Sequence, residues 1–280
     1  MSTIAILGAG EIGGALARQI AAGDVASRVV LIDDQAGVAA GKALDIAQAS
    51  PVDRYSTSLS GTSDASAVTG AAVVVLADRF GPAGEWRDED GLALLKRVAG
   101  LNQVAFFICA GTQQQSLIER GVTELGLSRS RLFGSAPEAL RSAVITVAAL
   151  EAKAAPIDVS LSVVGRPTQA IVPWDEASIA GRSAPQVLTA AQLARLNARV
   201  TRLWPPGPTT LGSAAARLVR SALTRSPRVH IALVALTRDE GTAGRSAMLP
   251  VTLGPSGIAQ IVSPSLSSRD RVRLETALRA

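Results

Sequence analysis

The sequence is poor in cysteine, histidine, lysine and aromatic residues. Cys109 is its only cysteine, His230 is its only histidine, and aromatic residues make up 3% of the 280 positions. A single cysteine excludes an internal disulfide. Because Cys109 lies in the apolar run 106–110, we interpret it as a small core residue rather than a nucleophile. No group of residues has metal-ligand spacing, so no metal site is predicted.

Basic residues outnumber acidic residues by 28 to 23, but the positive charge is not clustered. A nucleic-acid surface needs grouped basic residues, with stacking aromatics if the strand is single, so we expect no nucleic-acid partner. A site for small anions accounts for the excess charge equally well. No apolar segment reaches the roughly 20 residues that span a membrane. The first predicted strand begins at residue 4 and leaves no room for a signal peptide, so we expect a cytoplasmic protein.

A glycine pattern near the N-terminus carries the strongest functional signal. Residues 4–7 are apolar and predict a buried strand, and Gly8, Gly10 and Gly13 follow with G-x-G-x-x-G spacing before a helical pattern begins. The first glycine permits a tight turn, the second lets a pyrophosphate approach the backbone, and the third lets the helix pack closely on the sheet. The start of that helix offers unpaired N–H groups to the phosphates.

An acidic residue follows at the expected distance. The second apolar strand, residues 29–32, ends in Asp33, which lies 20 residues beyond Gly13. A carboxylate there accepts from both ribose hydroxyls and repels a 2′-phosphate, which favours NAD over NADP. The alternative is a glycine-rich turn beside a solvated aspartate, but the order of strand, turn, helix, strand and acid favours a dinucleotide site. The predicted cofactor-binding residues are Gly8, Gly10, Glu11, Ile12, Gly13 and Asp33.

Apolar strands alternate with helical segments through the first half of the chain. Further strands are predicted at residues 71–77, 104–110 and 131–134, and helices at residues 37–48, 92–98 and 117–125. Residues 58–66 are polar and rich in turn formers, which predicts a loop. The alternation predicts an α/β fold, with a doubly wound parallel sheet of the Rossmann type over residues 1–134.

The second half has a different order of elements. Helices are predicted at residues 137–153, 191–203, 213–224 and 269–279, and strands at residues 159–164, 228–236, 246–253 and 258–262. Several of these strands follow each other directly and favour antiparallel pairing. We therefore predict a second, α+β domain over residues 135–280.

Five stretches together resemble the lactate/malate dehydrogenase family, more closely on its malate side. They are residues 8–14, 41–47, 71–76, 171–173 and 253–257. The resemblance is strong over the first fifty residues and patchy afterwards, and the chain is shorter than the family norm. It implies a Rossmann domain followed by a substrate domain, NAD as cofactor, a homo-oligomer, and reduction of a 2-oxo acid by NADH.

Some of the family's catalytic parts can be carried over to this chain. In the family, a loop arginine polarises the substrate carbonyl, a second arginine grips its carboxylate, and a histidine oriented by an acid transfers the proton. Arg87 matches the loop arginine, Arg141 the carboxylate grip, and Glu138 the orienting acid. The i, i+3 spacing places Glu138 and Arg141 on one helix face. The alternative is an ordinary surface ion pair and a solvated arginine.

Other catalytic parts are missing. Pro167 stands where the family has its histidine, and proline has no titratable group. His230 lies in an apolar strand far along the chain, where we expect a packed or edge residue. The family's arginine for the distal substrate group falls near Gly81, and its Asn-Pro pair is replaced by residues 111–113.

These residues predict an NAD(H)-binding relative of the family whose ordinary 2-hydroxy-acid dehydrogenase activity is lost or strongly altered. A positioned general acid–base contributes ~10²–10⁴ in rate, and its loss leaves little turnover. One alternative is an active NAD-dependent oxidoreductase on a 2-hydroxy or 2-oxo acid that uses Arg87 and Arg141 without the usual histidine, with water or Glu138 supplying the proton. A second alternative is a structural subunit that has lost the cofactor as well.

Overall fold

Six parallel strands of the first half form a sheet with helices on both faces. The computed structural model describes residues 2–82, 84–240, 242 and 244–279. The strands are β1 (Thr3–Leu7), β2 (Arg28–Ile32), β3 (Ser58–Thr62), β4 (Val73–Leu76), β5 (Phe106–Cys109) and β6 (Leu132–Gly134). The helices are α1 (Glu11–Ala22), α2 (Ala36–Gln48), α3 (Ser50–Asp53), α4 (Asp88–Leu101) and α5 (Gln115–Thr123), with a 3₁₀ turn at Ala65–Val68.

The strand order creates a crevice at one edge of this sheet. The order is β3-β2-β1-β4-β5-β6, so the chain moves outward from β1 to β3 and then returns to the other side of β1 at β4. Ligands of such sheets bind outside the carboxyl ends of the strands, at the point where the order reverses. The turn after β1 and the segment after β4 therefore flank the expected binding crevice. This confirms the predicted doubly wound parallel sheet.

The second half extends the same sheet with antiparallel strands. Its strands are β7 (Val159–Ser160), β8 (Val164–Arg166), β9 (Gln169–Ile171), β10 (Ser178–Ile179), β11 (Arg182–Ser183), β12 (His230–Ala235), β13 (Ser246–Gly254) and β14 (Gly257–Ile261). Strand β12 pairs with β6, β13 follows it and contacts both β8 and β14, and β7, β10 and β11 form a separate small sheet. The division between residues 134 and 135 stays a prediction.

Helices of the second half cover both faces of the extended sheet. They are α6 (Ala136–Ala152), α7 (Ala184–Val187), α8 (Ala190–Val200), α9 (Pro208–Leu223) and α10 (Ser268–Arg279), with 3₁₀ turns at Pro156–Asp158, Trp174–Glu176 and Thr201–Leu203. Pro137 lies in the first turn of α6, where its missing N–H costs no hydrogen bond. No helix in the described part of the chain is both long and apolar enough to span a bilayer.

Two apolar cores lie on opposite faces of the sheet. Ile4 and Ile6 of β1 face one core, which contains α1 and α9, while Ala5 and Leu7 face the other, which contains α4 and α6. Successive residues of a strand point to opposite faces, so a strand with both faces buried is apolar throughout. The contact between α1 and α9 joins the two halves of the chain, because Gly212 allows α9 to approach α1 closely.

Two predicted elements differ from the structure. The expected loop at residues 58–66 is wrong over Ser58–Thr62, which forms the edge strand β3; its polar residues are tolerated because only one neighbouring strand pairs with it. The expected strand 159–164 is also wrong as one unit. It divides into β7, which joins the small sheet, and β8, which joins the large one.

Gly13 and Gly41 provide a matched test of the α1 packing. A Cβ at Gly13 would overlap the carbonyl of Gly8, whereas a Cβ at Gly41 on α2 would meet nothing within 4 Å. We expect Gly13→Ala to lower the free energy of unfolding by about 1–3 kcal/mol through overpacking. Gly41→Ala should raise it by about 0.5–1 kcal/mol through helix propensity. Urea unfolding at pH 7 measures both, and a Gly13→Ala variant as stable as wild type would contradict the packing role.

Candidate functional site

The turn between β1 and α1 has the geometry that the glycine pattern predicts. Gly8 has φ +115°, a conformation that favours glycine, and a Cβ there would overlap the backbone of Asp78. The Gly8 N–H donates to the Ile32 carbonyl (2.6 Å), which ties the turn to the end of β2. Gly13 lies against the Gly8 carbonyl and allows α1 to start directly above the turn. The reasons predicted for the first and third glycines therefore hold.

The N–H groups at the start of α1 are bonded to Asp78, which follows β4. The Glu11 N–H donates to Asp78 Oδ2 (2.8 Å) and the Gly13 N–H donates to Asp78 Oδ1 (3.0 Å). The Gly10 N–H donates to the backbone carbonyl of the same residue (2.8 Å). A Cβ at Gly10 would overlap the Asp78 carboxylate, so in this structure the missing Cβ makes room for Asp78. The predicted approach of a pyrophosphate to Gly10 stays a prediction.

Asp33 lies at the end of β2 and is held in place by backbone donors. It is 2% exposed, and its carboxylate accepts from the N–H groups of Ala9 (2.8 Å), Gln35 (3.1 Å) and Phe80 (3.0 Å). A carboxylate offers about four acceptor positions, so one position remains for a further donor. The backbone orients Asp33 toward the crevice between β1 and β4.

The segment after β4 folds into a small hairpin over the same crevice. Asp78 forms a β-bridge with Glu85, and the Arg79 N–H donates to the Gly84 carbonyl (2.8 Å). The Glu85 carboxylate accepts from the N–H groups of Thr112 (3.0 Å) and Gln113 (2.7 Å). We call residues 78–82 and 84–86 the crevice hairpin. Its two acidic ends bind the turn after β1 and the turn after β5.

Arg87 lies at the start of α4 and is half exposed. Its guanidinium donates to the Gln113 amide oxygen and lies 3.6 Å from the Asp88 carboxylate. These contacts of Arg87 thus lie at the turn after β5 and at the start of α4, and not at Glu138 or Arg141. The structure brings Glu138 and Arg141 together and leaves Arg87 in a different set of contacts.

Glu138 is the centre of a buried polar cluster. It is 3% exposed, and it accepts hydrogen bonds from Arg141 Nη1 (2.9 Å) and the Ile231 N–H (2.9 Å). His230 Nδ1 lies 3.5 Å from Glu138 Oε1, and His230 Nε2 lies 2.7 Å from Ser221 Oγ. The predicted packing of His230 is confirmed, because the side chain is fully buried. Its pairing with Glu138 escaped sequence reasoning, because the two residues are 92 positions apart.

Opposing effects set the ionisation of Glu138. Burial acts to raise its pKa, but the hydrogen bond with His230 and the charge of Arg141 outweigh burial, so the pKa lies below its ordinary value of 4.5. Glu138 is therefore a carboxylate at neutral pH. For Cys109, burial raises the pKa of the thiol, which supports its interpretation as an unreactive core residue.

A cavity of about 570 Å³ opens beside Arg141. Its described lining carries the guanidinium groups of Arg141, Arg217 and Arg228 against a single carboxylate, that of Glu176. This balance of charge suits a small anion, and a guanidinium can bind a carboxylate through two parallel hydrogen bonds. The described lining includes neither Arg87 nor Pro167. Among the described residues, no three histidine, cysteine or acidic side chains lie close enough to hold a metal ion.

Comparison with known proteins identifies the relatives of the chain. Residues 2–89 match the family model described as lactate/malate dehydrogenase, NAD binding domain. A malate dehydrogenase of Trichormus variabilis is 27% identical over 293 aligned positions, which cover 98% of this chain and 90% of the relative. The chain is thus similar to malate dehydrogenases over nearly its whole length, and residues 2–89 match the NAD-binding domain of the lactate/malate dehydrogenase family. The earlier resemblance is thus confirmed.

Solved structures support the same fold over nearly the whole chain. A malate dehydrogenase from Salinibacter ruber superposes with a TM-score of 0.87 at 20% identity, covering 98% of this chain and 93% of that one. A lactate dehydrogenase from Cryptosporidium parvum, in complex with lactic acid and NAD, superposes with a TM-score of 0.85 at 21% identity, covering 99% and 94%. The fold is therefore that of the lactate/malate dehydrogenases. The match of residues 2–89 to the NAD-binding domain of that family supports NAD as the cofactor.

The residues at the turn after β1 and at the end of β2 have the chemistry that a dinucleotide needs. Backbone donors at the start of a helix suit a pyrophosphate, and Asp33 retains an acceptor position for a ribose hydroxyl. Lys42 adds a cation to the turn, because its Nζ donates to the Gly10 carbonyl (2.8 Å). Sequence reasoning missed Asp78, although an acid directly after the fourth strand was a visible signal.

Glu138→Gln tests the buried cluster through stability. The substitution removes the charge that compensates Arg141, so we expect unfolding at pH 7 to become easier by about 3–5 kcal/mol. Because the pKa of Glu138 is lowered in the folded state, its contribution is fully present above pH 4.5 and is lost as the pH falls through the folded value. Urea unfolding at several pH values should show that the difference in free energy of unfolding between Glu138→Gln and wild type becomes smaller as the pH falls. The exposed Glu176→Gln is the control, and a gap that is independent of pH would contradict this assignment.

Proposed function

We propose that this protein binds NAD(H) on a lactate/malate dehydrogenase scaffold and carries out little or none of the family's ordinary hydride transfer. The observation that carries the proposal is Pro167. It is buried in the two-residue turn between β8 and β9, at the position that corresponds to the family histidine. Without a titratable group there, the proton step lacks its usual donor and acceptor.

The contacts of the other expected catalytic residues support the same proposal. Arg87 is engaged by Gln113 and Asp88, while Arg141 donates to Glu138 and to the Leu161 carbonyl (2.8 Å). The cavity beside Arg141 nevertheless suits a small anionic carboxylate, so we assign Arg141 as its grip and Glu138 as the acid that orients Arg141. We retain Arg87 as the candidate for polarising a bound carbonyl. The proposed function thus includes a cofactor-binding site and a binding site for a small carboxylic acid.

The assembly and location of the protein belong to the same proposal. The family resemblance implies a homo-oligomer, and we propose a cytoplasmic protein with a dinucleotide-binding domain over residues 1–134 and a substrate-type domain over residues 135–280. Gly8, Gly10, Glu11, Ile12, Gly13 and Asp33 are its proposed cofactor-binding residues.

Cofactor selectivity tests the role of Asp33. We expect NADH to bind tighter than NADPH by about tenfold or more, because the Asp33 carboxylate repels a 2′-phosphate. Fluorescence titration of both cofactors measures the ratio. Asp33→Asn should narrow it, whereas Asp34→Asn, at the exposed neighbouring position, should leave it unchanged. Absence of NADH binding at millimolar concentration would overturn the proposed cofactor binding, and equal binding of the two cofactors would overturn the role of Asp33.

Turnover tests the loss of the proton step. We expect the wild-type protein to produce no absorbance change at 340 nm with NADH and a panel of 2-oxo acids. Pro167→His restores a titratable group and should give measurable turnover, up to the ~10²–10⁴-fold that a positioned acid–base supplies. Thr168→His, at the other position of the same turn, is the control. Rapid, stereospecific conversion of oxaloacetate or pyruvate by wild type would contradict the proposal.

One contact favours a second candidate function, an active oxidoreductase on a 2-oxo or 2-hydroxy acid. His230 lies near Glu138, which binds Arg141, so a proton could pass between His230 and a bound acid through Glu138. This function requires turnover by the wild-type protein and its loss in His230→Gln. The 340 nm measurements above therefore separate the two candidates.

A further inference from the structure

The structure points to an internal competitor for the cofactor: the Asp78 carboxylate occupies the donors that a pyrophosphate uses, and NAD binds only when Asp78 leaves them. This inference rests on the NAD binding proposed above and adds a residue that controls it. Asp78 lies two residues beyond the end of β4, and it reaches across the crevice to the turn after β1. It therefore bridges the point at which the strand order reverses.

The first step of the argument concerns the hydrogen bonds at the start of α1. The first N–H groups of a helix have no partner within the helix, and they carry the positive end of the helix dipole. Two of them, those of Glu11 and Gly13, donate to the two oxygens of Asp78. A pyrophosphate at the turn after a first strand uses N–H groups of this kind. These N–H groups cannot donate fully to the Asp78 carboxylate and to a pyrophosphate at the same time.

The second step concerns charge and space. A pyrophosphate is anionic, and placing it beside the Asp78 carboxylate would add like-charge repulsion in a partly buried crevice. The absence of a Cβ at Gly10 leaves a space beside the turn, and the Asp78 side chain fills that space. Rotation of the Asp78 side chain would free the two donors without breaking the parallel sheet, because both of those bonds are made by its carboxylate.

The third step concerns what holds Asp78 in place. Asp78 belongs to the crevice hairpin, whose other acidic end, Glu85, binds the turn after β5. Between these ends, the Phe80 N–H donates to Asp33, the residue assigned to the ribose. The hairpin therefore contacts three places along the carboxyl edge of the sheet, and two of these contacts, at the start of α1 and at Asp33, use groups assigned to the cofactor. Binding of NAD has to compete with this set of contacts.

Asp78→Ala is the direct test, with NADH fluorescence titration as the first readout. Removing the competing carboxylate should lower the dissociation constant of NADH by about tenfold or more. Asp158→Ala removes the same charge from an exposed position in the second half of the chain and should leave the dissociation constant unchanged. Asp78→Asn keeps the shape of the side chain but not its charge, and we expect an intermediate gain.

Thermal unfolding without cofactor is the second readout. Asp78→Ala loses the carboxylate that satisfies the start of α1, so the Tm of the free protein should fall while NADH binding becomes tighter. A substitution that merely damaged the fold would lower the Tm and also weaken NADH binding. Competition with ADP-ribose and with adenosine locates the effect, because Asp78→Ala should improve binding of ADP-ribose, which contains a pyrophosphate, and not that of adenosine.

Three outcomes would overturn this inference. If wild type and both Asp78 variants bind NADH equally, NAD binding stands and the competition is wrong. If folded Asp78→Ala and Asp78→Asn proteins fail to bind millimolar NADH while wild type binds it, the competition is wrong and NAD binding stands; if wild type and both variants all fail, the proposed NAD binding fails as well. If Asp78→Ala increases the affinity for adenosine as much as the affinity for ADP-ribose, Asp78 does not act on the pyrophosphate position.

Discussion

Parallel pairing of β1 with β4 is the constraint on which the rest of this structure depends. The register of Ile4 with Val73 through Leu7 with Leu76 brings the ends of both strands to the same edge of the sheet. Because the chain leaves β1 toward β2 and returns on the other side at β4, the two following segments diverge and leave a crevice between them. Every group assigned to the cofactor lies at that crevice, on the turn after β1, at the end of β2 or after β4.

Acidic side chains satisfy much of the backbone at this edge. Parallel strands followed by helices expose N–H groups where each helix begins, and a buried N–H without a partner is costly. Asp33, Asp78 and Glu85 each accept from two or three backbone N–H groups in the turns at this edge or at the start of α1. The arrangement stabilises the protein without a ligand, but it also supplies the contacts that an anionic ligand would otherwise make. Stability of the free protein and affinity for the cofactor therefore oppose each other here.

The second half contains a buried acid, Glu138, whose charge is compensated by neighbouring groups. Glu138 remains ionised because His230, Arg141 and the Ile231 N–H compensate for its burial. The three arginines of the nearby cavity keep the surroundings positive. The proposed binding of a carboxylic acid beside Arg141 therefore does not depend on a titratable residue at position 167.

Local pattern by itself determined the N-terminal Rossmann fold and the cofactor class, and it is the basis of the proposal that Pro167 replaces the family histidine. These follow from apolar runs, fixed spacing and residue chemistry, all of which are local in the chain. It also indicated the helix that carries Glu138 and Arg141. Only the tertiary structure decided that Ser58–Thr62 pairs as an edge strand, that His230 meets Glu138, and that Asp78 lies on the start of α1. Each of these depends on residues 30 to 92 positions apart that meet only when the strands pair, and no local pattern records such a meeting.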